Sequence, residues 1–170
     1  MSRKQILVLA GIIPAAIVVA LAWTGSFGTL VPLPEDNPVA RLSYALPWLL
    51  IPALALLAGI GMTGNTRFFS AEAIDGTRKP ESNSLEINLR YNQNTLEQTV
   101  LAAIAWPLLA LWLPLHQLGL IPVLSTLFGI GRAAFLIGYM IAPWARAFGM
   151  GLTFYPTVVA LVWLVVRAVG

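Results

Sequence analysis

Polar positions are rare along this chain, and the apolar stretches between them are long. Five stretches reach membrane length: Ile6–Trp23, Tyr44–Met62, Thr99–Leu115, Leu118–Ala142 and Met150–Val169. A lipid-crossing helix needs about 20 apolar residues, so the pattern predicts five transmembrane helices. The third is expected to begin near Leu85 and to project a polar turn or two from the bilayer. Gly25–Asn37, with Pro32 and Pro34, reads as a structured outer loop. Met62–Glu86, broken by Gly64, Gly76 and Pro80, reads as a polar loop placed to cap a site. His116 and Pro122 bracket a short turn, so the third and fourth spans form an antiparallel hairpin. Prolines within or near spans (Pro14, Pro47, Pro52, Pro107, Pro156) read as kinks, which helix bundles tolerate.

Two of these stretches carry charge on one helical face. Arg90, Asn94 and Glu97 open the third, and Arg132, Phe135 and Tyr139 lie within the fourth. At about 100° per residue, each triplet falls within an arc of roughly 60°. A charged group near a membrane helix centre costs about 2.5–3.5 kcal/mol on insertion scales. Such groups must meet one another, water or a ligand. One reading is an internal Glu97–Arg132 salt bridge with Asn94 and Tyr139 as helix glue. The other is a site for a small zwitterion with more than one carboxylate and one amine. In it, Arg90 and Arg132 take anions, Glu97 an ammonium, and Asn94 and Tyr139 donate. Arg146 waits at the turn after Ala142-Pro143.

Composition sharpens this. The chain is 58% hydrophobic and 10% charged, against about 25% charged in soluble domains, so it reads as one integral membrane domain. It has no cysteine and one histidine, which excludes thiolate metal sites and cysteine nucleophiles and leaves no metal cluster. The net charge of +3 is scattered and suits membrane topology better than nucleic acid, so no nucleic-acid partner is expected. Arg3, Lys4, Arg67, Arg78, Lys79, Arg90 and Arg146 fall on one side of a five-span topology, and Arg41 and Arg167 on the other. The positive-inside rule then puts the N-terminus in the cytoplasm, and a bacterial inner membrane is the expected location. Arg3, Lys4, the apolar run and Ala20-Leu21-Ala22 also fit a secretory signal; an uncleaved helix is the preferred reading.

The stretch Arg90-Tyr91-Asn92-Gln93-Asn94-Thr95-Leu96-Glu97 resembles the R-x-x-x-N-x-x-E signature of the MAPEG family, the membrane-associated proteins of eicosanoid and glutathione metabolism. Arg132 through Gly138-Tyr139, with Arg146 after it, is similar to that family's second motif. The resemblance covers about Tyr44 to Val169. It implies an all-α membrane protein: a four-helix bundle over residues 44–169, with an additional helix over residues 5–24. It also implies a homotrimer with glutathione held between protomers by Arg90, Asn94, Glu97, Arg132 and Tyr139. Arg67 would assist, and Arg146 would stabilise the thiolate. The implied activity is glutathione transfer to, or peroxide reduction of, a lipophilic small molecule dissolved among membrane lipids. Phe135 stands where leukotriene C synthase has a tyrosine. That departure favours the alternative of a non-catalytic lipid-binding protein, and the extra helix favours an accessory subunit of a larger membrane complex.

Overall fold

The computed structural model describes residues 1–25, 27–71, 73–76 and 82–170. Helix α1 (Arg3–Trp23) starts from a capping box in which the Ser2 hydroxyl accepts from the Gln5 amide and the Gln5 side chain accepts from the Ser2 amide. Asn37 caps α2 (Pro38–Ala45), which passes through a single 3-10 turn (Leu46–Leu49) into α3 (Leu50–Phe68). Ser82 caps α4 (Asn83–Trp112); α5 (Leu120–Ile141) and α6 (Ala147–Val169) complete the chain. Among the described residues five rods are long and apolar enough to cross a membrane: α1, α2 through α3, α4, the rod ending in α5, and α6. The protein is an all-α integral membrane bundle of four rods with one extra N-terminal helix.

The helices outrun the apolar runs at several ends. The second rod begins at Pro38 rather than Tyr44, because Asn37 supplies the cap and Pro38 its first turn. Helix α3 continues through Gly61 and Gly64 to Phe68, so the expected loop Met62–Glu86 shrinks to the segment between Phe68 and Asn83. The reason is tertiary. Asn92 donates to Thr63 at 2.8 Å and Asn88 to Thr66 at 3.1 Å, so the last turns of α3 are bonded to α4. Arg78, Lys79 and Pro80 lie outside the described residues. Helix α4 does start near Leu85, as the pattern indicates. Its 30 residues span about 45 Å, against a hydrocarbon core of about 30 Å, so its polar N-terminal turns project beyond the apolar layer.

Polar side chains repair what proline breaks. Pro52 cannot donate to the Trp48 carbonyl one turn back; Ser125 of α5 donates to it instead, at 2.7 Å. Pro114 leaves the Ala110 carbonyl free at the end of α4. Buried Arg41 donates to that carbonyl at 3.1 Å and to that of Leu113 at 2.8 Å, and its Nε bonds Asp36. The apolar core lies between α4, α5 and α6 around Trp106, Leu109, Leu124 and Phe128, with Trp106 and Phe128 edge to face.

Small residues let α1 lie along α6. Val8, Gly11, Ile12, Ala15, Val19 and Ala22 form the inward stripe of α1, and Ile13 and Ile17 face outward. A Cβ at Gly11 would stand 3.0 Å from the Phe148 nitrogen, and one at Gly151 would stand 2.6 Å from the Ala15 Cβ. This small-residue crossing is the membrane-helix device that replaces a hydrophobic driving force with close van der Waals contact.

Candidate functional site

The fourth rod places Arg132 in mid-helix, and the structure buries it almost completely, at 1% exposure. Its guanidinium donates to Asn94 Oδ1 at 2.6 Å, to the Thr153 hydroxyl, and to the Gly149 carbonyl at 3.4 Å. Its plane lies against the rings of Phe135 and Phe128, 4.8 and 5.7 Å from their centroids. No Glu97–Arg132 pair forms. Glu97 is exposed and accepts from Gln93 one turn back, at 2.8 Å. From α5 the buried cation donates through both terminal nitrogens to neutral acceptors on α4 and α6, its Nε making no hydrogen bond, and it ties the three helices together at one level.

Close approach of α5 and α6 makes that possible. A Cβ at Gly149 would fall 2.4 Å from the Gly131 carbonyl oxygen and 2.3 Å from the Phe135 nitrogen. Only glycine permits this spacing, and it brings Thr153 and the Gly149 carbonyl within reach of Arg132. Gly138 plays a similar part for the turn after α5. A Cβ there would stand 2.5 Å from the Ala145 carbonyl oxygen and 2.9 Å from the Arg146 nitrogen. The turn is therefore pressed against α5, and the Arg146 guanidinium stacks over the Tyr139 ring at 4.6 Å.

Above this floor a cleft of about 280 Å³ opens, lined by Arg90, Gln93, Asn94, Glu97, Phe135, Arg146 and Met150. Arg90 is exposed; it pairs with Glu86 at 2.6 Å and lies beside the Tyr139 hydroxyl. Five of the residues singled out from sequence thus line one cleft: Arg90, Asn94, Glu97, Phe135 and Arg146. Arg132 lies beneath the cleft, holding Asn94, and Tyr139 beneath it too, against Arg146. Arg67 is not in the lining; its Nη1 lies by Gly76, 3.6 Å from where a Cβ there would stand. A larger cavity, about 320 Å³, opens at the other end of the bundle between Trp23, Thr29 and His116, with His116 as its one titratable group among the described residues.

Sequence reasoning did not find Gln93, Met150, Thr153 or the structural part of Gly149. Gln93 shares the face of Arg90 and Glu97 at helical spacing. Thr153 and Thr157 are isolated hydroxyls in an apolar helix, a signal that points inward to a polar partner.

The cleft can bind an anion and an ammonium together. Two guanidiniums offer forked donors, the Glu97 carboxylate accepts, and two amides donate. Residues 40–166 match the MAPEG family. The chain is also similar to mouse Transmembrane protein 79, 29% identical over 157 residues, which are 88% of this chain and 39% of that protein. Against bovine Transmembrane protein 79 the identity is 29% over 143 residues, 81% of this chain and 35% of that protein. The chain thus spans less than two-fifths of the length of these curated relatives. No solved structure matches it. Helix α1 lies wholly outside the family match, while the cleft and the floor beneath it lie inside, and on that match the chain belongs to the MAPEG family.

Proposed function

We propose that the protein is a glutathione-dependent membrane transferase or peroxidase acting on lipophilic electrophiles. The observation that carries this reading is the convergence of Arg90, Asn94, Glu97 and Arg146 on one open cleft at the end of the bundle where Arg3, Lys4 and Arg67 also lie. The donor set fits a peptide with two carboxylates and one ammonium. Arg90 and Asn94 would take carboxylates, and Glu97 the ammonium. Glutathione supplies, when bound, a thiol whose anion is the nucleophile. The chain's part is to hold that anion near neutral pH. Arg146 brings a guanidinium, a fixed cation, and a fixed cation near sulfur favours thiolate over thiol. Tyr139, stacked beneath, fixes the direction of the guanidinium.

Glu97 stands among exposed apolar residues of α4, Leu96, Val100 and Ile104. A carboxylate on a lipid-facing stripe needs a polar cover. A neighbouring protomer meets that need, which supports a homotrimer with the cleft between subunits and Arg67 of α3 contributing across the boundary. The lysine and arginine distribution supports a cytoplasmic N-terminus, and the cleft then faces the cytoplasm. A second reading, lipid binding without turnover, is favoured by Phe135, which puts an apolar ring into the cleft wall.

Isothermal titration of the purified protein with glutathione, alongside ultraviolet difference absorption of the thiolate, tests the proposal. Binding with a thiolate band that Arg146→Ala abolishes is the expected result. Absence of glutathione binding overturns the reading, and binding without turnover of any electrophile favours the second.

A further inference from the structure

Arg146 and Met150 line a second cavity as well as the first. It measures about 220 Å³ and lies between the N-terminal half of α1 and the start of α6, walled by Val8, Ile12, Trp144, Phe154 and Tyr155. The first cavity is the more polar of the two, with Arg90, Asn94 and Glu97 in its wall, the second is largely apolar, and the two meet at Arg146. Each alone is small beside ligand sites of about 300–1,000 Å³; taken together they reach that range. Phe154 and Trp144 are each 37% exposed, so the apolar cavity opens sideways toward lipid. Its far wall belongs to α1, which the family match over residues 40–166 does not include.

We propose that α1 completes a subsite for the apolar body of the acceptor, with Val8 and Ile12 as its wall and Arg146 as the boundary to the thiol cleft. This rests on the thiol-transfer reading above. The occupant is a single-tailed lipophile carrying a conjugated carbonyl at its head. The tail fits the apolar walls. The carbonyl oxygen complements the cation at the boundary, where no other charged side chain lines the apolar cavity. In the addition, thiol ionisation releases a proton to water and a sulfur–carbon bond forms at the β-carbon. The carbon–carbon π pair shifts to between the α-carbon and the carbonyl carbon while the carbonyl π pair moves onto oxygen, facing Arg146; the α-carbon of this enolate then takes a proton from water. The sum is addition of S–H across the double bond, with no oxidant and no leaving group.

Two measurements on the full chain in lipid nanodiscs test this. In the first, a dodecyl diazirine is photolysed with the unaltered protein and the adducts are mapped by mass spectrometry. Adducts concentrated on Val8, Ile12 and Phe154 are expected; labelling spread evenly over the outward residues Leu9, Ile13 and Ile17 overturns the subsite. In the second, glutathione addition to hexenal and to dodecenal is followed in the Ile12→Trp and Val8→Ala variants. Filling the groove at Ile12 is expected to raise KM for dodecenal about tenfold, a change of about 1.4 kcal/mol, with hexenal changed less and KM for glutathione unmoved. Equal effects on both aldehydes overturn the subsite. Focused labelling with no turnover of either aldehyde leaves the groove as a lipophile site and removes the thiol reading alone.

Discussion

Asn94 accepts from Arg132 across the α4–α5 boundary at 2.6 Å. A guanidinium has no acceptor, so the amide oxygen must face it and the Asn94 NH₂ is what remains for the cleft. Asn94 thus joins a buried cation below to an amide that lines the cleft above. Its two functions separate by substitution. Asn94→Ala leaves Arg132 short of a partner and is expected to cost about 1.5–3 kcal/mol of stability, the worth of a hydrogen bond to a charged group. Asn94→Asp keeps the acceptor and removes the donors, so it should preserve stability and lose glutathione affinity. Thermal unfolding in detergent and titration calorimetry on both variants decide the matter; equal loss of stability in both contradicts this assignment.

Arg41 anchors the C-terminal end of α4, as Arg132 anchors Asn94 nearer its N-terminus. Its Nη1 bonds the carbonyls of Ala110 and Leu113 while its Nε bonds Asp36. Asp36 is 62% exposed in its side chain, so the ion pair itself is worth at most about 1 kcal/mol. The buried carbonyls matter more, because an unsatisfied buried acceptor costs about 1–3 kcal/mol. Arg41→Ala is therefore expected to lower the unfolding midpoint well beyond Asp36→Asn, with glutathione binding unchanged in both. Parallel thermal melts of the two variants make the comparison.

The rods and the polar face of α4 were legible because each is written in one stretch of chain. Run length gives the spans, and helical spacing gathers Arg90, Asn94 and Glu97. What those residues touch was not legible. Besides Asn94, the partners of Arg132 are Thr153 and a backbone carbonyl at Gly149, on a helix stretch where no charge advertises them. The natural expectation for a buried arginine is a carboxylate, yet Glu97 points away to Gln93. The extension of α3 past Gly61 and Gly64 depends on hydrogen bonds from Asn88 and Asn92, more than twenty residues away. Local breaker rules cannot see those bonds. The wall that α1 gives to the apolar cavity follows only from its crossing with α6.

Gly138 offers a test of how Arg146 is positioned. A methyl group there meets backbone at 2.5 and 2.9 Å, whereas one at Gly129 meets only the Ile51 side chain, at 3.1 Å. Backbone of the 142–146 turn must shift in the first case; a side chain can yield in the second. Gly138→Ala is expected to cost about 1–3 kcal/mol, as overpacking does, and to lower turnover at least tenfold by moving the Arg146 guanidinium off Tyr139. Gly129→Ala should leave turnover within twofold. Those two activity limits correspond to about 1.4 and 0.4 kcal/mol of barrier. Initial rates normalised to folded protein measure both variants, and equal losses in the two break the link between Gly138 and Arg146.

The charge on Arg146 has a signature in pH. An unassisted thiol ionises near pH 8.5. A cation beside the sulfur lowers that value, so the thiolate fraction, and with it the rate, rises through its midpoint at a lower pH than the free thiol allows. Removing the cation moves the midpoint up. Arg146→Ala is expected to shift the pH–rate profile toward about 8.5, so the loss in turnover is large at neutral pH and shrinks as pH rises. Arg146→Lys keeps a charge but loses the planar stacking on Tyr139, and should fall between. Affinity for glutathione should change less than turnover, because Arg90, Asn94 and Glu97 remain. A rate deficit in Arg146→Ala that is uniform across pH assigns Arg146 to geometry alone and takes thiolate stabilisation away from it.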